Sequence, residues 1–431
     1  MRRASLLRLA PCLSLLSLPA CGDDKAGGDY YGEESSLSGT NPSGGEGDSA
    51  SMGSPEGGEG DSAPGEEGDA EGAADEGEGG EQGEPVDPID PGQLTAGEWR
   101  DLDHWDFWLK LMLSELWGGM ADRWGFHSEE RYAVVVTAGQ DGAHVADAEV
   151  VLMAGQQAVW STRTDVHGEA ELFAGMFAAA PEGARTLEVT VGGVTQVVEG
   201  VEPAWQEPIV VGLDEVQAPA QVLDLMFMVD TTGSMGDELG YLQAELADVI
   251  DRVREQVGQE LTIRVSVNFY RDEGDQYLVK PYAFTTDVDR AIDDLNAQSA
   301  SGGGDTPEAV DAALRNVVEG HEWSESAVAR LCFFVLDAPP HDGEQVLASV
   351  RESVKSAAAQ GVRLIPLAAS GTDKDLEFLL RFGAIASGGT YTFLTDHSGI
   401  GGDHVEPTIG AYQIELLNDL LVRLITDAVV D

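Results

Sequence analysis

Between Val222 and Glu238 the chain reads VLDLMFMVDTTGSMGDE, an apolar run that stops abruptly at an acid. Val222–Val229 is nearly all apolar and of strand length, which predicts a β-strand buried on both faces. Asp230 stands where that strand leaves the core, Thr232 and Ser234 follow at two-residue spacing, and Gly233 lets the backbone turn tightly. An amphipathic helix is predicted beyond, carrying Leu239, Leu242, Leu246, Val249, Ile250, Val253 and Val257 on one stripe. A carboxylate and two hydroxyls on one strand-to-helix loop suit a hard divalent cation. Their place, at the carboxyl end of a buried strand, is where open α/β sheets bind ligands.

Asp230-x-Thr232-x-Ser234 resembles the Asp-x-Ser/Thr-x-Ser signature of the von Willebrand factor A domain, whose metal-ion-dependent adhesion site binds Mg²⁺. The sequence from Ala218 onward fits that fold, since strands alternate with helices. Strands are predicted at 222–229, 261–270, 277–284, 329–336, 362–368 and 390–394, and helices at 288–296, 307–318, 344–360, 373–382 and 414–425. The expected fold class is α/β: one doubly wound, mostly parallel, six-stranded sheet over 221–431. Two more loops carry the resemblance. Gly302-Gly303-Gly304-Asp305-Thr306-Pro307-Glu308 resembles the loop of integrin β subunits in which Asp-Ser-Pro-Glu supplies a glutamate to the central metal, and Asp337 ends the apolar strand 329–336. The resemblance therefore implies Asp230, Thr232, Ser234, Glu308 and Asp337 as ligands of Mg²⁺ or Mn²⁺, with Thr306 as the alternative to Glu308. It also implies flanking ions, Ca²⁺ among them: Asp237 and Glu238 at an adjacent site, Asp272 and Asp305 at a third, where Gly303 replaces the family's coordinating asparagine. Asp237 and Glu238 also suit a helix start without any ion.

Upstream the composition changes twice. Arg2 and Arg3 precede an apolar run from Leu6 to Leu18, a secretory signal too short to span a bilayer. Leu18-Pro19-Ala20-Cys21 resembles a bacterial lipobox, implying cleavage before Cys21 and its lipidation, hence a protein anchored to an envelope membrane and facing out of the cytoplasm. Residues 21–93 are mostly Gly, Glu, Asp and Ser, with Lys25 as the one base, and GGEGDSA occurs at 44–50 and again at 57–63. Such a segment cannot bury a core and is expected to be a disordered, extended stalk. Cys332, inside an apolar run, is left without a disulfide partner.

Residues 94–128 hold Trp99, Trp105, Trp108, Trp117 and Trp124. Thr95 and Glu98 fit a capping box, and Leu102, Trp105, Leu109, Met112 and Leu116 follow at helical steps, with Gly118-Gly119 as the stop. The expectation is one helix that buries its aromatics against the next domain, the alternative being an exposed aromatic platform. From 129 to 216 the period becomes two, with turns at AspGly, HisGly and GlyGly, predicting a small β-sandwich. Ala146-Asp147-Ala148 and Thr164-Asp165 to Gly168 resemble the transthyretin-like or carboxypeptidase-regulatory-like sandwiches, in which Asp165 and His167 shape a turn.

A net charge of −54 excludes nucleic acid and electrostatic docking on anionic lipid. The chain contains no phosphate loop, H-E-x-x-H or C-x-x-C, and Thr232 replaces the first glycine of a G-x-S-x-G elbow, so the expected role is binding rather than catalysis. The expected partner is a protein offering an acidic residue to the metal. The alternative is a structural envelope scaffold in which the metal only stabilises the fold.

Overall fold

A computed structural model describes residues 89–430, apart from 258, 259, 305 and the side chain of Asp237. The signal run, Cys21 and the acidic stretch up to residue 88 lie outside the described residues, as does Asp305. In chain order the elements are β1 (Thr95–Trp99), α1 (Trp105–Met112) and α2 (Glu115–Trp124). Short strands follow: β2 (Glu130–Ala138), β3 (Ala143–His144), β4 (Glu149–Ala154), β5 (Gln157–Arg163), β6 (Glu169–Ala174), β7 (Arg185–Val191), β8 (Val194–Val201) and β9 (Ala204–Leu213). Then come β10 (Val222–Asp230), α3 (Leu239–Gln256), β11 (Thr262–Tyr270), β12 (Val279–Lys280), α4 (Val288–Asn296), α5 (Val310–Glu319), β13 (Ala329–Leu336) and α6 (Glu344–Gln360). The last are β14 (Val362–Ala368), α7 (Lys374–Ser387), β15 (Tyr391–Leu394), β16 (Glu415–Leu416) and α8 (Leu417–Asp427).

The main sheet runs β12-β11-β10-β13-β14-β15-β1-β16. β11, β10, β13, β14 and β15 are parallel, while β12 and β1 join antiparallel. Period-two alternation along β10 explains the double winding. Leu223, Leu225, Phe227 and Val229 enter one core with α3, α4 and α8, whereas Met226 and Met228 enter the other with α5, α6 and α7. Full burial of such side chains stabilises by about 1.5–3 kcal/mol each relative to exposure. The chain runs outward from β10 to β11 and later returns on the other side at β13, so the gap beyond the carboxyl ends of β10 and β13 is the topological switch point.

The sheet has eight strands rather than the six expected: the tryptophan segment supplies β1, and Glu415–Leu416, at the start of the expected closing helix, supplies β16. Thr95–Trp99 is not a helix cap but a strand, paired from Ala96↔Leu394 to Trp99↔Tyr391 on β15, with the two-residue β16 on its other side at the edge of the sheet. The backbone N–H groups of Gly92, Gln93 and Leu94 donate to the buried Glu245 carboxylate on α3, at 2.8, 2.7 and 3.0 Å. Gly97 is required there, because a Cβ would come within 2.6 Å of the Phe393 ring and 2.8 Å of Tyr412. The expected single helix is two. Ser114 breaks it and caps α2 by accepting from the Trp117 N–H at 3.3 Å. Gly118 and Gly119 lie inside α2 instead of ending it; each costs about 1 kcal/mol in propensity, offset by burial of Trp117, Met120, Ala121 and Trp124. All five tryptophans are buried. Trp108 stacks on Phe378 of α7 with centroids 5.9 Å apart, and Arg381 lies fully buried beside Trp108 and Trp117, its charge held by Asp101 at 2.6 Å and Glu377 at 3.1 Å.

β2–β9 form two four-stranded sheets, β3-β2-β6 with β9 against β2, and β5-β4-β7-β8. Asp165 shapes its turn as expected, its Oδ1 accepting from the His167 and Glu169 N–H groups at 3.1 and 2.9 Å. Asp147 binds the two modules together, accepting from Arg163 at 2.6 Å and from Arg330 of β13 at 2.8 Å.

Candidate metal centre

β10 delivers Asp230 to the switch point, and a tight turn from Gly233 to Asp237 leads into α3. Asp230 Oδ1 accepts from the Thr232 N–H at 2.8 Å and from its hydroxyl at 2.7 Å, and Thr232 Oγ1 lies 3.2 Å from Ser234 Oγ. The second loop is fastened to the first by Gly233 N–H to the Gly302 carbonyl at 3.1 Å and Ser301 N–H to the Thr231 carbonyl at 3.0 Å. Gly303 (φ 65°) threads between the ligands. A Cβ there would lie 2.9 Å from Glu308 Oε1 and 3.2 Å from Thr232 Cβ, so only glycine fits. Glu308 N–H donates to the Pro339 carbonyl at 2.9 Å, which joins the second loop to the third and delays α5 to Val310, three residues beyond the expected Pro307.

Asp230, Thr232, Glu308 and Asp337 are buried, and Ser234 is exposed at the rim. Burial, then the Asp337 charge, pushes the Asp230 carboxyl up to about 7. Burial, followed by the charges of Asp230, Asp272 and Asp337, pushes Glu308 to about 8. Asp230 Oδ2 and Glu308 Oε2 are buried and accept no hydrogen bond. The Tyr270 hydroxyl lies beside the Asp230 carboxylate, and the hydrogen-bonding contact between them offsets the burial of Asp230 only slightly. Buried carboxylate oxygens left open cost free energy unless something positive meets them. Among the described residues no three His, Cys, Asp or Glu side chains converge closely enough to hold an ion by themselves. The donor set that fits a hard cation is therefore mixed: carboxylates, the Thr232 and Ser234 hydroxyls, and water. Cavities of about 390 and 490 Å³ flank the linker at 215–221 and contain none of these residues.

Residues 224–401 match the family of the von Willebrand factor type A domain. Those residues form a von Willebrand factor type A domain. The match starts inside β10 and stops before α8, so β1, α1 and α2 complete the A-domain sheet and core from outside it. A 120-residue stretch is 30% identical to a protein described as an ariadne-like RING finger protein of Acanthamoeba polyphaga mimivirus; it is 28% of this chain and spans only 11% of that protein. Among solved structures, the conserved hypothetical protein BatB from Bacteroides thetaiotaomicron is similar over 48% of this chain and 86% of its own, at 16% identity and a TM-score of 0.27.

The acids flanking the A-domain centre divide by partner. Glu238 is fully buried and turned to protein donors, accepting from the Ser370 N–H at 3.2 Å with His404 Nε2 at 3.1 Å. Its carboxylate is engaged rather than open to an adjacent ion. Asp272 is buried with Oδ1 2.5 Å from His341 Nε2. Thr306 is exposed, whereas Glu308 is in the cluster, and the Asp237 side chain is outside the described residues. One residue escaped the sequence reading. Asp275 Oδ2 accepts from the Gly303 N–H at 2.8 Å and the Asp272 N–H at 3.2 Å, bracing the second loop. His404, buried, ties Glu238 to Asp396. The one signal for Asp275 was its turn, Asp272-Glu273-Gly274-Asp275.

Proposed function

We propose that this chain is a binding protein that captures a protein partner through a divalent cation, Mg²⁺ or Mn²⁺, held by Asp230, Thr232, Ser234, Glu308 and Asp337. The observation that carries this reading is the pair of buried, unpartnered oxygens, Asp230 Oδ2 and Glu308 Oε2, facing a third carboxylate at the switch point of an A domain. A bound cation would supply an open coordination position that a partner's carboxylate can occupy in place of water. The protein's part is to hold the ligands. Thr232 fixes Asp230 through two hydrogen bonds, Gly303 admits Glu308 beside Thr232, and exposed Ser234 marks where a partner can reach in. The hydroxyls are read as ligands rather than nucleophiles, because the neighbouring histidines, His341 and His404, pair with Asp272 and Glu238. The proposal extends to calcium at a flanking site through Asp272, the one candidate there among the described residues whose carboxylate lies beside the centre.

The test is thermal unfolding with and without Mg²⁺ or Mn²⁺. The midpoint should rise with metal and fall back on chelation, and Asp230→Asn should abolish the rise while the metal-free protein stays folded. No shift with either ion would sink the reading. The scaffold alternative draws on the aromatic core fused across modules. It expects the same thermal shift, but partner capture that survives both EDTA and Asp230→Ala.

We further propose that the chain is lipid-anchored through Cys21 and that the A domain works outside the cytoplasm of a bacterial cell. Support comes from the Arg2-Arg3 start, the apolar run and Leu18-Pro19-Ala20-Cys21. Radiolabelled palmitate should be incorporated by the chain and not by its Cys21→Ser variant; equal labelling would refute the anchor.

A further inference from the structure

The loops at the carboxyl ends of the main-sheet strands, on the face of the candidate centre, have a charge pattern that speaks to the partner. Residues 271–278, 299–309, 337–343, 369–373 and 395–414 follow or flank β11, α4, β13, β14 and β15, and between them they contain no lysine and a single arginine, Arg271. Arg271 is buried, its guanidinium donating to the Ser299 carbonyl at 2.7 Å and lying over the Tyr277 ring. Of the nearby bases, Arg123 is paired with Asp342 and Asp375 and Lys374 with Glu377, while Lys280, beside the carboxyl end of β11, is half-buried and donates to Gln298 Oε1. Against them Glu273, Glu344, Asp373, Asp403 and Glu406 stand exposed. The centre adds three more acids, Asp230, Glu308 and Asp337, and no base.

An acidic protein surface would therefore be repelled before its carboxylate reached the ion. We infer that the partner presents its carboxylate from within a basic surface, lysines or arginines around one acid, and that the acidic rim steers that surface onto the centre. The inference rests on the metal-bridge reading above and adds the partner's charge to it. Complementary fields of this kind act chiefly on the association rate and are screened over about 8 Å at physiological salt.

The experiment measures association of three synthetic peptides with the full chain in Mg²⁺: one aspartate flanked by lysines, the same peptide with asparagine for the aspartate, and the same with serines for the lysines. The lysine-flanked aspartate peptide should associate fastest, and its on-rate should drop roughly tenfold between about 50 and about 300 mM NaCl. Glu273→Lys with Asp403→Lys should slow it several-fold. Glu199→Lys with Glu207→Lys, exposed on the sandwich, makes the same charge change elsewhere and should leave it unchanged. If the serine-flanked peptide associates as fast and without salt dependence, or if the sandwich pair slows binding as much as the rim pair, the steering rim is refuted and the metal bridge stands. If the asparagine peptide binds as tightly as the aspartate peptide, the metal bridge is refuted and the rim stands. If no peptide binds, both fall.

Discussion

The candidate centre and the tryptophan-rich segment are built on opposite principles. At the centre, three loops are held together by backbone hydrogen bonds of 2.9–3.1 Å around carboxylates whose burial is unfavourable until a cation arrives. In the tryptophan segment the buried charges are answered, although the indole N–H of Trp105 is not. Arg381 has Asp101 and Glu377, Trp108 Nε1 donates to Ser128 at 3.0 Å, and Glu245 receives three amides. One region holds unspent electrostatic free energy and the other holds the fold. The difference teaches where each kind of substitution should be felt: changes at the centre alter metal response more than stability, and changes in the segment alter stability whether or not metal is present.

The largest test of that contrast is removal of the segment. A chain starting at residue 221 lacks β1, exposes the β15 edge and leaves the Glu245 carboxylate buried without its three donors. It should lose cooperative thermal unfolding altogether, even with Mg²⁺. A sharp transition in that fragment would show that the segment is an accessory to the A domain rather than part of it. Next in size is Trp108→Ala, which empties a fully buried site against Phe378 and Phe126 and should cost about 3–5 kcal/mol by denaturant unfolding. Its Mg²⁺-induced shift should match that of the parent chain.

How much of this was legible follows the distance between interacting residues. Asp230, Thr232 and Ser234 sit on one loop after one apolar strand, so their grouping could be read locally; Asp337 could be placed at the end of its apolar strand, and Glu308 came only from the resemblance of its loop to that of integrin β subunits. β1 could not. Its partner residues on β15 lie about three hundred positions away, from Ala96↔Leu394 onward, and nothing in Thr95–Trp99 outweighs its likeness to a helix cap. Long-range pairing overrode local propensity there. The same holds for Glu245, for His404 and for the fate of Glu238, which reads locally as a helix-start acid and is engaged by a histidine 166 positions downstream.

A smaller effect separates the two regions by pH. Asp230 and Glu308, at about 7 and about 8 in the metal-free fold, lie well above ordinary carboxylates, so the folded chain binds more protons than the unfolded one between those limits. Their contribution is complete below about pH 4 and is lost as pH rises through about 8; metal-free stability attributable to them falls over that window. Mg²⁺ reverses the trend, since it competes with the same protons, and the thermal shift it produces should grow from about pH 5.5 to about pH 8.5. Asp230→Asn should flatten the metal-free pH dependence and remove the Mg²⁺ shift, whereas Trp108→Ala should leave both slopes alone. A Trp108→Ala chain that changed the pH slope would mean that the regions are electrostatically coupled.

The finest test is Asp275→Ala. Asp275 is not one of the five candidate ligands, yet its Oδ2 accepts from Gly303 N–H, and Gly303 is the residue that lies between Glu308 and Thr232. A side-chain brace on a loop amide contributes about 1 kcal/mol. Because the loop can relax when the cation is absent, most of that loss should appear on binding, as about fivefold weaker Mg²⁺ affinity by calorimetry with the metal-free midpoint nearly unchanged. Gly302→Ala approaches the same contact from the other side, where a Cβ would fall 2.3 Å from Asp275 Oδ2 at a backbone φ of 83°, and should weaken Mg²⁺ in the same direction. If both variants lower the metal-free midpoint as much as they weaken the ion, then the second loop belongs with the stabilising core, and the division between a tense centre and a satisfied scaffold has to be redrawn at Asp275.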